Sequence, residues 1–178
     1  ILRVSVPAMK DVRLIAAIKA SCALPLVADI HFDWRIALAC VEAGIDKIRI
    51  TPGHLGGDEK VKPVAEACPA AGVPIRIGAN GGSLAKELLA KHGHPTAEAL
   101  VASALGHVAL LEKHDFHDIV ISIKSSHVPT MVAAYRLLSE QCEYPLHLGV
   151  TEAGTWRMGL VKNAMGILFQ LKMHLYAD

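Results

Sequence analysis

The sequence has few aromatic residues, little net charge and no long uncharged apolar run. Aromatic side chains make up 4% of the 178 residues, so the core must be aliphatic. A net charge of +1 gives no electrostatic case for a nucleic-acid or anionic-membrane partner. No uncharged apolar run reaches the roughly 18–20 residues of a membrane span. The 52% hydrophobic composition excludes a disordered chain, and the length predicts one domain over residues 1–178.

Cysteine is also scarce, with Cys22, Cys40, Cys68 and Cys142 as the four present. No two of them form a C-x-x-C pair, which argues against a structural zinc or a complete local iron–sulfur site, so no metal site is expected. Four cysteines are too few for a secreted disulfide scaffold, and buried free thiols in a reducing cytoplasmic compartment are expected. The chain begins in an apolar run without a Met or a signal peptide, which suggests a fragment.

Short runs rich in Val, Ile and Leu alternate with helix-like stretches. Gly44 and Gly72 are natural helix ends, and Thr96 is a candidate N-cap. This alternation predicts parallel strands joined by helices. The predicted strands are Ile1–Val6, Pro25–Ile30, Lys47–Ile50, Pro74–Ala79, Asp118–Ile123 and Pro145–Val150. The predicted helices are Met9–Cys22, Trp34–Ala43, Asp58–Ala71, Thr96–Lys113, Pro129–Gln141 and Arg157–Leu175.

Two α/β architectures compete for this pattern. A doubly wound nucleotide-binding sheet is expected to show a Gly-rich phosphate turn after its first strand, but residues 7–10 contain no glycine and neither common nucleotide-binding motif occurs. A (β/α)8 barrel instead places polar residues at the carboxyl ends of several strands, as here. A full barrel needs about 250 residues and eight strands. The sequence therefore predicts an incomplete TIM barrel of about six βα units.

Basic side chains lie in or at the end of four different predicted strands. A buried cation needs an acidic partner or an anionic ligand, and the comparable acids are Asp29 and Glu152. The excess of positive charge favours a small polyanion, with phosphate or diphosphate preferred because guanidinium groups match their oxygens. An outward orientation toward helix carboxylates is the alternative for any single residue. The four residues are Arg3, Arg49, Arg76 and Lys124.

Other polar groups occur at the same strand ends. Asp29 and His31 are two residues apart and share one face if the strand continues. Two candidate ligands without a third are weak evidence for a metal site, so a role in orienting the substrate is favoured. Asn80 lies in the glycine-rich run 78–83. This run is typical of an anion-binding turn and equally of an ordinary βα turn. Glu152, between Gly149 and Gly154, is a candidate for general acid–base chemistry, or alternatively a partner for an arginine.

Four segments together resemble one family. They are VADIHFDWRIAL (Val27–Leu38), the stretch Ile48–Gly53, PIRIGANGGSL (Pro74–Leu84) and HLGVTEAG (His147–Gly154). In order and spacing they are similar to bacterial-type 4-hydroxy-3-methylbut-2-enyl diphosphate synthases, the GcpE family of the methylerythritol phosphate route to isoprenoids. The resemblance covers the chain from about Ile1 to about Leu168. It implies a TIM barrel followed by a separate iron–sulfur domain.

The resemblance also implies an activity and a set of roles. The family reduces 2-C-methyl-D-erythritol 2,4-cyclodiphosphate to the linear allylic diphosphate, using a [4Fe-4S] cluster, electrons from flavodoxin or ferredoxin, and a homodimer. It implies proton transfer by Glu152. It implies diphosphate binding by Arg3, Arg49, Arg76 and Lys124, and substrate contacts by Asp29, His31 and Asn80.

The chain departs from the family in three places. The cluster's three cysteines and one glutamate have no counterpart here, so this chain alone is not expected to catalyse the reaction. Thr51 and His54 replace the family's usual asparagines, which weakens a polar role for either. Residues 170–178 do not match the run that normally follows.

Two other functions stay open on the sequence alone. One is a phosphate-binding barrel of different chemistry, such as a pterin-binding synthase or an aldolase with Lys124 as Schiff-base lysine. The other is a barrel remnant that binds or scaffolds without catalysis.

Overall fold

Parallel strands alternate with helices throughout the part of the chain that the computed structural model describes, residues 1–51, 55 and 57–175. The strands follow their chain order across the sheet, and the pairs β1–β2, β2–β3 and β3–β4 are parallel. This confirms the predicted α/β pattern. The strands are β1 (Leu2–Ser5), β2 (Leu26–Asp29), β3 (Lys47–Ile50), β4 (Ile75–Asn80) and β5 (Ile119–Lys124).

The helices follow the strands closely, and each helix predicted from the sequence is found. One helix, over Lys86–His92, is not predicted. Short 3-10 turns cover Met9–Asp11 and Gly81–Ser83. No helix in the described ranges is both long and apolar enough to cross a bilayer. The helices are α1 (Arg13–Ser21), α2 (Trp34–Glu42), α3 (Asp58–Ala71), α4 (Lys86–His92), α5 (Ala97–Glu112), α6 (Val128–Ser139) and α7 (Trp156–Leu175).

Local sequence signals account for several helix ends. Asp33 begins α2 because its carboxylate accepts the Arg35 N–H at 2.9 Å. The Thr96 hydroxyl accepts the Ala99 N–H at 3.2 Å, as its predicted N-cap role requires. Gly72 ends α3 in the left-handed conformation, with φ of 63°, which a residue without a Cβ adopts at little cost.

The chain divides into two compact units. The first unit contains Ile1–Ile77 and Gly106–Val120, and the second contains Gly78–Leu105 and Ile121–Asp178. In the first unit, Ala28, Ile48 and Ile75 lie in register on neighbouring strands and are fully buried. Aliphatic burial of this kind stabilises the sheet that carries the polar strand ends described below.

The run Pro145–Val150 in the second unit differs from the predicted sixth strand. It is linked to β5 by an isolated parallel bridge between Ile121 and Leu146 and is not a regular strand. The reason lies in α6: the Tyr135 hydroxyl accepts the Ile123 N–H at 2.9 Å and is within donating distance of the carbonyl oxygens of Ile123 and His147. The Tyr135 hydroxyl thus forms hydrogen bonds with backbone groups that would pair with each other in a regular strand ladder.

Candidate functional site

The register of the first unit places four polar residues in one row. Ser5 pairs with Asp29, Asp29 with Arg49, and Arg49 with Arg76 across β1 to β4. Residues in register on neighbouring strands point to the same face of a sheet. The row therefore brings two predicted cations and one predicted acid onto one face of the sheet. Ser5 and Asp29 are the last residues of their strands, whereas Arg76 is the second residue of β4.

Asp29 is the carboxylate around which the arginines gather. Arg3 donates from Nε to Asp29 Oδ2 at 3.0 Å, and its Nη2 lies 2.9 Å from the same oxygen. Arg76 Nη2 lies 3.9 Å from Asp29 Oδ1. Asp29 and Arg76 are 7% and 4% exposed. Buried charges are stable only when they are compensated, so Asp29 is the protein's own counter-ion for this cluster.

Arg49 is compensated less completely. It is 5% exposed, and its Nε has no hydrogen-bond partner among the residues that the structure describes. Burial lowers the pKa of Arg49; the nearby charge of Asp29 opposes this effect, and the charge of Arg3 adds to it. The three arginines and Asp29 will be called the arginine cluster. It holds three positive charges against one negative charge, and it has donor capacity left for an anion.

His31 lies beside the arginine cluster in the first unit. Its Nε2 is 3.3 Å from the Ser5 hydroxyl, and Ser5 belongs to the row described above. The ring is half-buried and lies near Phe32, which is 70% exposed. His31 and Asp29 therefore both contact side chains of β1, in keeping with the expectation that they share one face.

The second unit contains a cavity of about 460 Å³. The predicted residues Asn80, Lys124 and Glu152 all line it. The side chain of Glu152 is exposed. The cavity thus combines a carboxylate, an ammonium and an amide, a set able to bind an anion and to exchange a proton.

The sequence did not predict the hydroxyl groups that line the cavity or the one that contacts His31. Ser125, Ser126 and Thr151 line the cavity, and Ser5 contacts His31. Two consecutive serines directly after β5 are the one local signal that would have found part of this set. The contact between Ser5 and His31 depends on strand register, which no local pattern reveals.

The glycine-rich run after β4 is a 3-10 turn. Neither Gly81 nor Gly82 has a positive φ, so their backbone conformation does not require glycine. A Cβ on Gly81 would lie 3.0 Å from the side chain of Pro95. At that position, glycine is needed for close approach rather than for conformational freedom. Of the Thr51–His54 turn, Thr51 is buried, and residues 52–54 lie outside the described residues.

The cysteines do not form a site for an iron–sulfur cluster. Burial raises the pKa of the Cys40 thiol to about 11 and that of Cys68 to about 12, which disfavours the thiolate that binds iron. The described ranges contain no group of three or more His, Cys, Asp or Glu side chains placed to hold a metal ion. The residues described here therefore do not fit the cluster that the resemblance implies.

Comparison with known proteins agrees with the family resemblance. Residues 1–175 match the model of the GcpE TIM-barrel domain. The chain is 59% identical, over 94% of its length, to a Symbiobacterium thermophilum protein named 4-hydroxy-3-methylbut-2-en-1-yl diphosphate synthase (flavodoxin), and 57% identical to a Clostridium perfringens protein of the same name. It covers 45% and 48% of those two proteins, so it spans less than half the length of these relatives.

Solved structures show the same architecture. A type I 3-dehydroquinate dehydratase from Clostridium difficile aligns with a TM-score of 0.61 over 91% of this chain and 64% of the other, at 14% identity. At that identity the likeness shows the fold alone. From the strand-end residues, the match over residues 1–175 and the curated relatives, we conclude that this chain belongs to the GcpE TIM-barrel domain family.

Proposed function

We propose that this chain is the substrate-binding barrel portion of a 4-hydroxy-3-methylbut-2-enyl diphosphate synthase, and that it binds 2-C-methyl-D-erythritol 2,4-cyclodiphosphate. The arginine cluster is the observation that carries this proposal. A diphosphate supplies the negative charge that Asp29 alone does not, and its oxygens suit the forked donors of arginine. Relatives that are 59% and 57% identical to this chain over the aligned residues bear the name of that enzyme.

In this proposal the arginine cluster and His31 contribute charge and orientation. Arg3, Arg49 and Arg76 bind phosphate oxygens, and Asp29 holds Arg3 and Arg76 in place when no substrate is bound. His31, beside Ser5, contacts the polar part of the substrate. Because Arg49 and Arg76 are buried, their attraction for an anion is screened less by solvent than that of surface arginines.

The cavity residues contribute proton transfer in this proposal. Glu152 gives or takes a proton as the ring opens, Lys124 neutralises a phosphate oxygen, and Asn80 offers an amide donor. The overall reaction breaks one C–O bond to phosphate and releases a hydroxyl group as water. Two electrons from reduced flavodoxin or ferredoxin, with the matching protons, balance the change. The residues of this chain bind, orient and protonate.

The [4Fe-4S] cluster, which would pass the electrons from the donor to the substrate, is held by residues outside this chain in our proposal, because the cysteines here do not fit it. Its domain belongs to the longer polypeptide that the curated relatives exemplify. A homodimer in the cytoplasm, with flavodoxin or ferredoxin as the electron donor, completes the proposal. A net charge of +1 supports a small-molecule partner rather than nucleic acid.

Thermal unfolding with and without the cyclic diphosphate, at fixed salt, tests the proposal. A ligand at about 100 times its Kd stabilises a protein by about 2.7 kcal/mol, which is about 5–10 °C for a chain of this size. We expect that rise for the unmodified chain and its loss in Arg49→Gln. Arg136→Gln, which removes an exposed arginine from the last turn of α6, is the matched control and should keep the rise.

Three results would count against the proposal. An absent shift from a folded sample would favour the non-catalytic scaffold. Equal shifts in Arg49→Gln and Arg136→Gln would remove the arginine cluster from binding. Borohydride trapping of a carbonyl compound on Lys124, detected as an added mass, would support the aldolase alternative instead.

A further inference from the structure

The backbone at Glu152 has an unusual conformation. Its φ is 54°, in the left-handed region that residues with a side chain rarely adopt, and Gly154 follows with φ of 110°. Such a conformation persists only where the surrounding structure holds it. The Glu152 side chain is exposed while it lines the cavity, so close packing around it does not fix this conformation. The hydrogen bonds of the backbone just before Glu152 are therefore candidates for the contacts that hold this segment.

One side of that backbone is held by β5. Ile121 N–H donates to Pro145 O, His147 N–H donates to Ile121 O, and Thr151 N–H donates to Ser125 O at 3.3 Å. In extended chain, the peptide groups of successive residues face opposite edges. Val150 therefore turns its N–H and C=O away from β5, toward the edge where a further strand would pair.

Asn163 of α7 meets both of these groups. Its Oδ1 accepts the Val150 N–H at 2.8 Å, and its Nδ2 donates to Val150 O at 3.1 Å. Nδ2 also donates to Gly159 O, one turn earlier in α7, at 3.1 Å, which fixes the direction of the amide. A primary amide carries the same donor and acceptor as a peptide group. Asn163 thus pairs with Val150 as a neighbouring strand would.

The close fit of α7 against this segment supports the same conclusion. A Cβ on Gly166, almost one turn after Asn163, would lie 2.7 Å from Met131 Cε and 2.8 Å from Val150 Cγ2. The helix therefore approaches Val150 as closely as its backbone permits. The approach brings the short Asn163 side chain within reach of a backbone two residues before Glu152.

We propose that Asn163 is a positioning residue that holds the 150–152 segment, and through it the Glu152 carboxylate, at the cavity. This rests on the proposed role of Glu152 in proton transfer. Asn163 is not among the cavity-lining residues, so it acts through Val150 rather than on the substrate. Alanine at position 163 would leave both Val150 groups without this partner. Aspartate would keep the acceptor but place negative charge against Val150 O.

The test is a double-mutant cycle in the full polypeptide that carries this chain, reconstituted with its electron donor. The variants are Asn163→Ala, Glu152→Gln and the double variant, with Lys162→Ala as a control on the same helix. We expect Asn163→Ala to lower kcat by about 10- to 100-fold, the range for a misplaced catalytic group. The Kd for the cyclic diphosphate should change by less than about threefold, because the arginine cluster is intact.

The double variant should be no slower than Glu152→Gln alone, since Asn163 acts only through that carboxylate. Lys162→Ala should keep the unmodified kcat. If the two losses multiply, or if Asn163→Ala has the unmodified kcat, the positioning role is wrong. A Glu152→Gln variant with unmodified kcat would instead overturn the proposed role of Glu152, so the two failures are distinguishable.

Asn163→Asp keeps the proposal testable if the alanine variant does not fold. Protonation of the aspartate restores a donor toward Val150 O, and proximity to a carbonyl oxygen favours the protonated form. The ratio of its kcat to that of the unmodified enzyme should therefore rise as the pH is lowered. A ratio that is independent of pH would contradict the positioning role, because a packing defect does not titrate.

Discussion

Removal of the Asp29 charge is the sharpest test of how the arginine cluster is held. Asp29→Asn keeps the size and shape of the side chain and one acceptor oxygen. It removes the negative charge that lies 2.9 Å from Arg3 Nη2 and 3.9 Å from Arg76 Nη2. Arg49 and Arg76, which are 5% and 4% exposed, then keep their buried charges without this counter-ion.

The expected loss follows from those distances. Two unit charges 4 Å apart interact by about 4 kcal/mol at an effective dielectric constant of about 20. The pair with Arg3 adds at most about 1 kcal/mol, because surface pairs are screened and the Arg3 side chain is 51% exposed. Breaking one partner of a buried ion pair costs about 3–5 kcal/mol. Since asparagine can still accept one hydrogen bond, we expect the lower end, about 3 kcal/mol, or about 6–12 °C in Tm.

The assay is thermal unfolding followed by circular dichroism, in a buffer without phosphate so that no anion replaces the carboxylate. Asp33→Asn is the matched control: Asp33 caps α2, and asparagine caps a helix about as well as aspartate. The control should change Tm by less than about 2 °C. A shift for Asp29→Asn as small as that of the control would refute the reasoning, because Asp29 would then not compensate the buried arginines.

Two further predictions follow from pKa shifts. Hydrogen bonds from Lys19 and from the Leu26 N–H lower the pKa of Asp46, so its stabilising effect is complete above about pH 4 and is lost as the pH falls through the lower folded pKa. The difference in free energy of unfolding between the unmodified chain and Asp46→Asn should therefore shrink on acidification; a constant difference would contradict this. Iodoacetamide at about pH 8 should label Cys22 and Cys142 faster than the buried thiols Cys40 and Cys68, and equal labelling by peptide mass spectrometry would be the opposite result.

Much of the fold could be predicted because its signals are local. The aliphatic runs and the helices between them gave the α/β pattern, and the glycines at 44 and 72 marked the ends of two helices correctly. The charged strand ends were also visible, since an arginine inside an apolar run stands out in any sequence. These features depend on neighbours a few residues away, where composition and spacing carry the information.

The rest depended on long-range register, which composition does not show. The row through Ser5, Asp29, Arg49 and Arg76 exists because four strands align at those residues. The run Pro145–Val150 has the composition of a strand, and only the fold reveals that a tyrosine from α6 takes its ladder positions. The convergence of all the predicted substrate contacts on one mouth stays a prediction.

The Tyr135 hydroxyl also has a consequence for the order in which the chain folds. Its contacts join α6, the end of β5 and the run Pro145–Val150 through one oxygen atom. The Tyr135 hydroxyl can bond the run only when α6 is packed against it. The run is therefore expected to reach its final alignment after α6 has packed. We therefore expect this pairing to form late in folding, and we expect the amides of the run and of α6 to exchange together in native-state hydrogen exchange.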